Sequence, residues 1–75
     1  MNQHLVQRLL IEEIERAVCE ARKDRRIIHA GRYAPSLMLT YPNCGMTASE
    51  VVNEIGAVAA CAGVPVELSR PEVPA

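Results

Sequence analysis

The first 24 residues carry the clearest hydrophobic pattern of the chain. Apolar side chains recur at steps of three and four residues, which is the spacing of one helical face, and charged side chains occupy the opposite face. The pattern predicts a long helix from Asn2 to about Asp24, and it allows one further turn, through Ile28, before Gly31 ends the helix. The predicted apolar stripe consists of Val6, Leu10, Ile11, Ile14, Ala17, Val18 and Ala21.

Two leucines one turn apart, Leu5 and Leu9, fall outside this stripe. At about 100° per residue they project among charged side chains such as Glu12 and Arg16. A pair of leucines at this spacing forms an apolar ridge, which needs cover from another part of the chain or from another molecule. The pattern leaves both alternatives open.

The segment from residue 32 to residue 41 fits two kinds of element. Its apolar residues suit a short helix with Pro35 in the first turn, where proline is tolerated. Residues 37–41 also suit a strand. We favour the helix because the segment lacks the Val and Ile enrichment that is typical of strands. Residues 41–45 are predicted to form a turn.

A capping box, Thr47-Ala48-Ser49-Glu50, stands directly before the next apolar repeat. In this motif the threonine hydroxyl accepts a hydrogen bond from the third backbone amide, and the glutamate carboxylate accepts one from the threonine amide. It predicts a third helix, which Gly63 is placed to close in a left-handed conformation. We expect this helix to bury Ala48, Val51, Val52, Ile55, Val58, Ala59 and Ala62.

The last two turns of this third helix lack a polar side. Small residues stand where polar ones are expected, so another backbone could approach closely, although alanine also tolerates solvent. Residues 64–68 then alternate like a short strand, which needs a partner within the monomer or across a dimer axis. Together with the leucine ridge, these features predict an interface formed by Leu5, Leu9, Gly56, Ala57, Ala60, Cys61, Val64 and Val66.

These elements predict a mostly α fold: a small helical domain of two to three helices, namely a long N-terminal helix, a short middle helix and a capped third helix, with a short extended C-terminal segment. The alternative is an α+β fold, in which residues 37–41 pair in parallel with residues 64–68 in a small βαβ unit that dimerisation completes. We expect residues 1–68 to form one domain and residues 69–75 to be a disordered tail.

Composition adds a size constraint. The chain has 75 residues, 49% of them apolar, a formal net charge of −1, two Tyr and no Phe or Trp. A domain of this size has a small core that rarely supplies more than roughly 3 to 5 kcal/mol, which favours self-association. The longest apolar run, residues 55–66, is about half of what a membrane span requires, and no secretory leader is recognised. Three cysteines without short spacings indicate reduced thiols in a cytoplasmic protein.

A basic cluster at the end of the first helix raises the alternative of nucleic-acid binding. Residues 47–56 are similar in pattern to the first helix of many helix-turn-helix domains. Residues 57–63, where a polar recognition helix should follow, offer no side chain that could donate to a base edge. Nucleic-acid binding would therefore depend on the basic patch, which comprises Arg22, Lys23, Arg25 and Arg26.

Catalytic and metal chemistry are weakly supported by the residue pattern. Cys19, Cys44, Cys61, His4 and His29 are possible ligand types, but none stands at the short spacings of a preformed zinc site, so no metal and no cofactor are predicted. Cys44 lies in a turn, and His29 is the only base it could use. We expect no enzyme, and Cys44 is the residue to examine for reactivity.

The sequence therefore predicts a small, non-enzymatic, cytoplasmic protein that self-associates, with a dimer favoured, and acts as a protein–protein interaction module. An unidentified protein is a further expected partner, and no membrane contact is expected. The alternative is a small nucleic-acid-associated regulator that uses the cluster from Arg22 to Arg26.

Overall fold

The computed structural model describes residues 3–67, and the predicted tail at residues 69–75 lies outside the described residues, as does Leu68. It confirms the mostly helical fold with a long first, a short second and a capped third helix. None of these helices is long and apolar enough to cross a membrane. The elements in chain order are α1 (Gln3–Asp24), β1 (Ile28–His29), α2 (Ala30–Thr40), α3 (Ala48–Ala62) and β2 (Val66–Glu67).

Helix α1 presents the predicted apolar stripe to the core. Leu10 and Ile14 are fully buried, and Val18 is nearly so. Ile11 and Ala17, at the two margins of the stripe, are half-buried. The helical spacing of the sequence therefore identified the buried face of α1 correctly.

Helix α1 ends at Asp24, so the further turn that the pattern allowed does not form. Arg25 adopts the left-handed conformation with a φ of 55°. Its N–H donates to the carbonyl of Arg22 at 3.4 Å, and the N–H of Arg26 donates to the carbonyl of Ala21 at 2.9 Å. This pair of bonds is the Schellman motif, and it ends α1 without the glycine that usually signals such an end.

Helix α2 begins at Ala30, directly after β1 and earlier than predicted. Gly31 does not end α1 but is buried inside α2, and Pro35 lies in the helix interior, beyond the first turn. His29 precedes the helix without a side-chain capping bond, so the sequence carries no start signal here. The strand alternative for residues 37–41 is wrong, since these residues continue α2 and its C-terminal turn.

The capping box of α3 is formed as predicted. The Glu50 N–H donates to the Thr47 hydroxyl at 3.2 Å, and the Thr47 N–H donates to the Glu50 carboxylate at 2.9 Å. Gly63 follows the helix with a φ of 72°, the left-handed conformation expected of it. Both ends of α3 were therefore readable from local sequence.

The strands β1 and β2 pair in parallel, with Ile28 opposite Val66 and His29 opposite Glu67. The C-terminal segment thus finds its partner within the chain, but this partner is β1 and not residues 37–41 as the βαβ alternative required. Helices α2 and α3 form the connection between the two strands. The exposed side chains of His29 and Glu67 approach to 3.0 Å, Nδ1 to Oε2.

Aliphatic side chains fill the core, and α3 packs against both α1 and α2. Val51 and Ile55 are fully buried in α3, whereas Ala48, Val58 and Ala62, which were also expected in the core, are half-buried. Val52 and Ala59 of α3 are also buried. The other elements and the connecting segments supply the rest of the core, including Val6, Leu10, Ile14, Val18, Ala21, Ile28, Ala30, Ala34, Leu37, Cys44 and Val64.

Tyr33 joins α2 to α1 at the edge of this core. Its hydroxyl donates a long hydrogen bond to the carbonyl of Glu13, at 3.5 Å. Burial, and then the negative charge of Glu13, raise the pKa of the Tyr33 hydroxyl above its ordinary value. The hydroxyl therefore remains protonated and able to donate at neutral pH.

Candidate functional site

An open groove lies between the C-terminal halves of α1 and α3, and we name it the α1–α3 groove. Its volume is about 280 Å³. The residues on each side recur at helical spacing, so the groove follows the line where the two helices pack. The lining residues are Glu15, Val18, Cys19 and Arg22 from α1, and Val58, Cys61 and Ala62 from α3.

The small-residue surface predicted on α3 is partly open and partly core. Ala57, Ala60 and Cys61 are exposed over the last two turns. Of these, Cys61 lines the α1–α3 groove, whereas helical spacing directs Ala57 to its margin and Ala60 away from it. Gly56 and Val64, which were predicted at the interface, are buried within the chain. Gly56 lies on the core face of α3, one turn after the buried Val52. Val64 is the apolar residue that follows Gly63 in the Schellman motif, and such a residue packs back against the end of its helix.

The leucine ridge and Val66 do not line the groove. Leu5 is 47% exposed in the first turns of α1, and Leu9 is half-buried. Val66 packs against the core from β2. The structure therefore places the predicted interface residues in more than one region and brings only part of the set together.

Two strongly exposed apolar side chains were missed by the sequence analysis. Leu39 on α2 is 84% exposed, and Ile27 before β1 is 58% exposed. Leu39 was detectable in principle, because Leu37 faces the core and a residue two positions later on a helix points to the other side. Ile27 gave no such signal, since it lies outside any periodic segment.

The rim of the α1–α3 groove carries two opposite charges. Glu15 and Arg22 stand seven residues apart on α1, about 10 Å along the helix axis. Within residues 3–67 neither has an ion-pair partner, whereas Arg8 pairs with Glu12 and Arg16 with Glu13. The sequence analysis missed Glu15, because only the packing of α3 against α1 makes it part of a groove.

The basic patch surrounds a second concavity, which we name the arginine pocket. Its volume is about 210 Å³. Arg26 also forms an exposed ion pair with Asp24 at 3.1 Å. Lys23, the fourth residue of the predicted patch, is exposed but does not line the pocket. The lining residues are Ala21, Arg22, Arg25, Arg26, Gly63, Val64 and Pro65.

The arginine pocket lies where the C-terminal ends of α1 and α3 meet. At the end of α3, the Gly63 N–H donates to the carbonyl of Ala60 at 3.2 Å and the Val64 N–H to that of Ala59 at 2.9 Å. This is the same Schellman motif that ends α1. Arg25 thus holds in one motif the left-handed position that Gly63 holds in the other.

The thiol that the sequence singled out is enclosed. Cys44 is 2% exposed, and its Sγ lies 3.9 Å from the carbonyl of Met46. Gln7 on α1 donates to the carbonyl of Cys44 at 2.8 Å, which fixes the turn. His29, the only candidate base, is exposed and pairs with Glu67. This arrangement leaves the Cys44 thiol without access to a substrate.

Metal ligands are also scattered in the described part of the chain. Across residues 3–67, no group of three or more His, Cys, Asp or Glu side chains is arranged to hold a metal ion. Comparisons with protein-family models, curated proteins and solved structures find no significant match to this chain. The α1–α3 groove and the arginine pocket are the two surfaces that carry the candidate functions.

Proposed function

We propose that this protein is a small, non-enzymatic interaction module that forms a homodimer through the α1–α3 groove. The observation that carries the proposal is an open groove whose rim holds two opposite charges without ion-pair partners among the described residues. The proposal places the protein in the cytoplasm, where exposed thiols such as Cys19 and Cys61 remain reduced.

A second copy of the chain matches the charges of the groove. In a dimer with twofold symmetry the same surface faces itself. If the two α1 helices run antiparallel across the axis, Glu15 of each copy faces Arg22 of the other. One pair of residues per chain then supplies two intermolecular ion pairs, which fix the register of the dimer.

The small side chains of α3 support close contact between the copies. Ala57 and Cys61 are exposed on the side of α3 toward the groove, and the last two turns carry no charged side chain that would have to be desolvated. Helices with small residues at the contact approach to about 8 Å between their axes. Such an approach would cover the Cys61 side of the groove and add apolar burial to a core that is small for an independent domain.

Size-exclusion chromatography with light scattering tests this proposal at tens of micromolar protein. We expect a dimer for the natural chain and a monomer for the double variant Ala57→Glu, Cys61→Glu, which places two carboxylates of each copy in the groove and at its margin. Both positions are exposed in the monomer, so the variant should retain its helical circular dichroism.

The matched control is Ser36→Glu, which adds a carboxylate at an exposed position of α2 that does not line the groove. It should remain a dimer. A monomeric natural chain, or a double variant that still dimerises like the control, would contradict the proposal.

Nucleic-acid binding is the second candidate function, because Arg22, Lys23, Arg25 and Arg26 are all exposed at the end of α1. It predicts oligonucleotide binding that weakens steeply as salt rises, since released counterions drive such binding. Reversal of Arg22, Arg25 and Arg26 to Glu should abolish it. Binding that survives this reversal would reject the candidate.

A further inference from the structure

We propose that the arginine pocket binds a phosphoryl group, either inorganic phosphate or the dianion of a phosphate monoester. Three arginines, Arg22, Arg25 and Arg26, are among the residues that line this one concavity. Guanidinium groups bind phosphate oxygens through paired, charge-assisted hydrogen bonds, which makes arginine the side chain best suited to this ligand.

The charge balance of the pocket favours an anion. Arg22 and Arg25 have no ion-pair partner within residues 3–67, and Asp24, the partner of Arg26, is itself exposed. No acidic side chain lines the pocket. Three like charges around one small volume repel each other, and a bound dianion would remove most of this repulsion.

The backbone at Arg25 is a second, independent observation. Its φ of 55° is in the left-handed region, which disfavours every residue with a side chain relative to glycine. Gly63 holds the equivalent position at the end of α3, so glycine is compatible with the motif in this fold. The left-handed end of α1 thus places an arginine, where glycine would be less strained, among the lining residues of the pocket.

The C-terminal ends of α1 and α3 lie at the pocket, and their partial negative charge opposes the binding of an anion. Carbonyl groups at the C-terminus of a helix carry partial negative charge. Here the carbonyls of Ala21, Arg22, Ala59 and Ala60 each accept a hydrogen bond from the following turn, which reduces their free charge. Arg22 and Arg25, which have no ion-pair partner within residues 3–67, bring two positive charges against roughly −0.5 at each of the two helix ends.

The volume of the pocket limits the size of its ligand. At about 210 Å³ it is smaller than pockets for drug-sized ligands, which start at roughly 300 Å³. It suits one phosphoryl group. The rest of a phosphorylated ligand would lie outside.

Nuclear magnetic resonance titration of the labelled full chain with inorganic phosphate tests the proposal, with sodium chloride used to hold ionic strength constant. We expect saturable shifts of amide signals confined to residues 21–26 and 63–66. Arg25→Gly should weaken the affinity about tenfold or more, because one charge-assisted contact is lost. This variant relieves the left-handed strain, so its melting temperature should equal or exceed that of the natural chain.

The matched control is Lys23→Gln, which removes the same charge two residues away but outside the pocket lining. It should leave the affinity within about twofold, as expected for an exposed charge that does not touch the ligand. Equal weakening by the two variants would show diffuse attraction instead of a site and would overturn the proposal.

Two further titrations separate the sources of the phosphoryl group. Glycerol phosphate, a monoester, should shift the same amides if the ligand is a small phosphorylated molecule, whereas response to inorganic phosphate alone identifies the free ion. A DNA oligonucleotide without terminal phosphates should not compete. Competition by that oligonucleotide, or no saturable shift at roughly tens of millimolar phosphate, would overturn the proposal.

Discussion

Arg25 and Gly63 occupy the same position in two copies of one backbone motif. The left-handed conformation costs a residue with a Cβ about 1 kcal/mol or more, and glycine very little. Gly63 therefore ends α3 at low cost, whereas Arg25 ends α1 at the expense of stability. This difference makes the end of α1 a position where stability can be improved by one substitution.

Arg25→Gly should raise the free energy of unfolding by about 0.5 to 1 kcal/mol, because the relieved strain exceeds the added entropy of the unfolded chain. Urea denaturation in phosphate-free buffer measures this change. The opposite substitution, Gly63→Ala, should lower stability by about 1 kcal/mol through backbone strain alone, since no atom lies within 4 Å of the added Cβ. An Arg25→Gly variant that is less stable than the natural chain would contradict this account of the motif.

The three thiols differ in exposure and should differ in reactivity. Cys19 and Cys61 are exposed, and Cys44 is buried. A small alkylating reagent at neutral pH and dilute protein should label the two exposed thiols first, and Cys44 only through local opening of the turn. Intact mass measured over time, with peptide mapping, follows the three sites. A Cys44 that reacts as fast as Cys19 would disprove the buried position of this turn.

At the scale of elements, the capping box of α3 provides a clean test of local stability. Thr47→Ala removes the hydroxyl that accepts from the Glu50 N–H and should lower the free energy of unfolding by about 1 kcal/mol. Ser49→Ala, at an exposed position within the same box that makes no capping bond, is the control and should change stability by less than about 0.5 kcal/mol. Thermal or urea unfolding followed by circular dichroism measures both. Equal effects of the two substitutions would show that the cap contributes nothing.

The helices were predictable where local sequence determines them. The stripe of α1 and both ends of α3 follow from helical spacing, from Thr47 with Glu50, and from Gly63. The start of α2 was not predictable, because His29 provides no cap. The end of α1 was misplaced for a related reason, since Arg25 adopts a conformation for which arginine gives no signal.

The strands were less predictable because they depend on contacts distant in sequence. β1 has two residues, too few to show the alternation of apolar and polar side chains that marks a strand. It forms only because β2, which follows α2 and α3 in the chain, pairs with it. The alternation of residues 64–68 correctly indicated an extended segment. Its partner could be found only by knowing how the helices bring Ile28 beside Val66.

The candidate surfaces were predicted in part. Sequence identified the small residues Ala57, Ala60 and Cys61, and it identified the arginines, because composition along a helix face is local information. It assigned Gly56 to the wrong face, since small residues on both sides of α3 do not distinguish core from surface. It also missed Glu15, whose importance arises only when α3 is placed beside α1.

At the scale of the whole molecule, the two candidate surfaces adjoin at the end of α1. Arg22 lines both the α1–α3 groove and the arginine pocket. The remaining residues of the two surfaces are separate, so each proposal can fail without the other. Variants at Ala57 and Cys61 report on dimerisation, and Arg25→Gly reports on phosphate binding.

A charge exchange across the dimer tests the twofold arrangement of the groove. Glu15→Arg alone and Arg22→Glu alone should each place like charges opposite one another, twice per dimer. Both positions are exposed in the monomer, so the variants should fold. The double variant, Glu15→Arg with Arg22→Glu, restores both ion pairs with the charges exchanged.

Sedimentation equilibrium of the natural chain and these three variants is the most direct measurement of the central claim. The account predicts that each single substitution weakens the dimer about tenfold or more, as like charges at an interface do, and that the double variant recovers to within about threefold of the natural chain. A double variant that dimerises no better than the single ones, or a natural chain that remains monomeric, would contradict it.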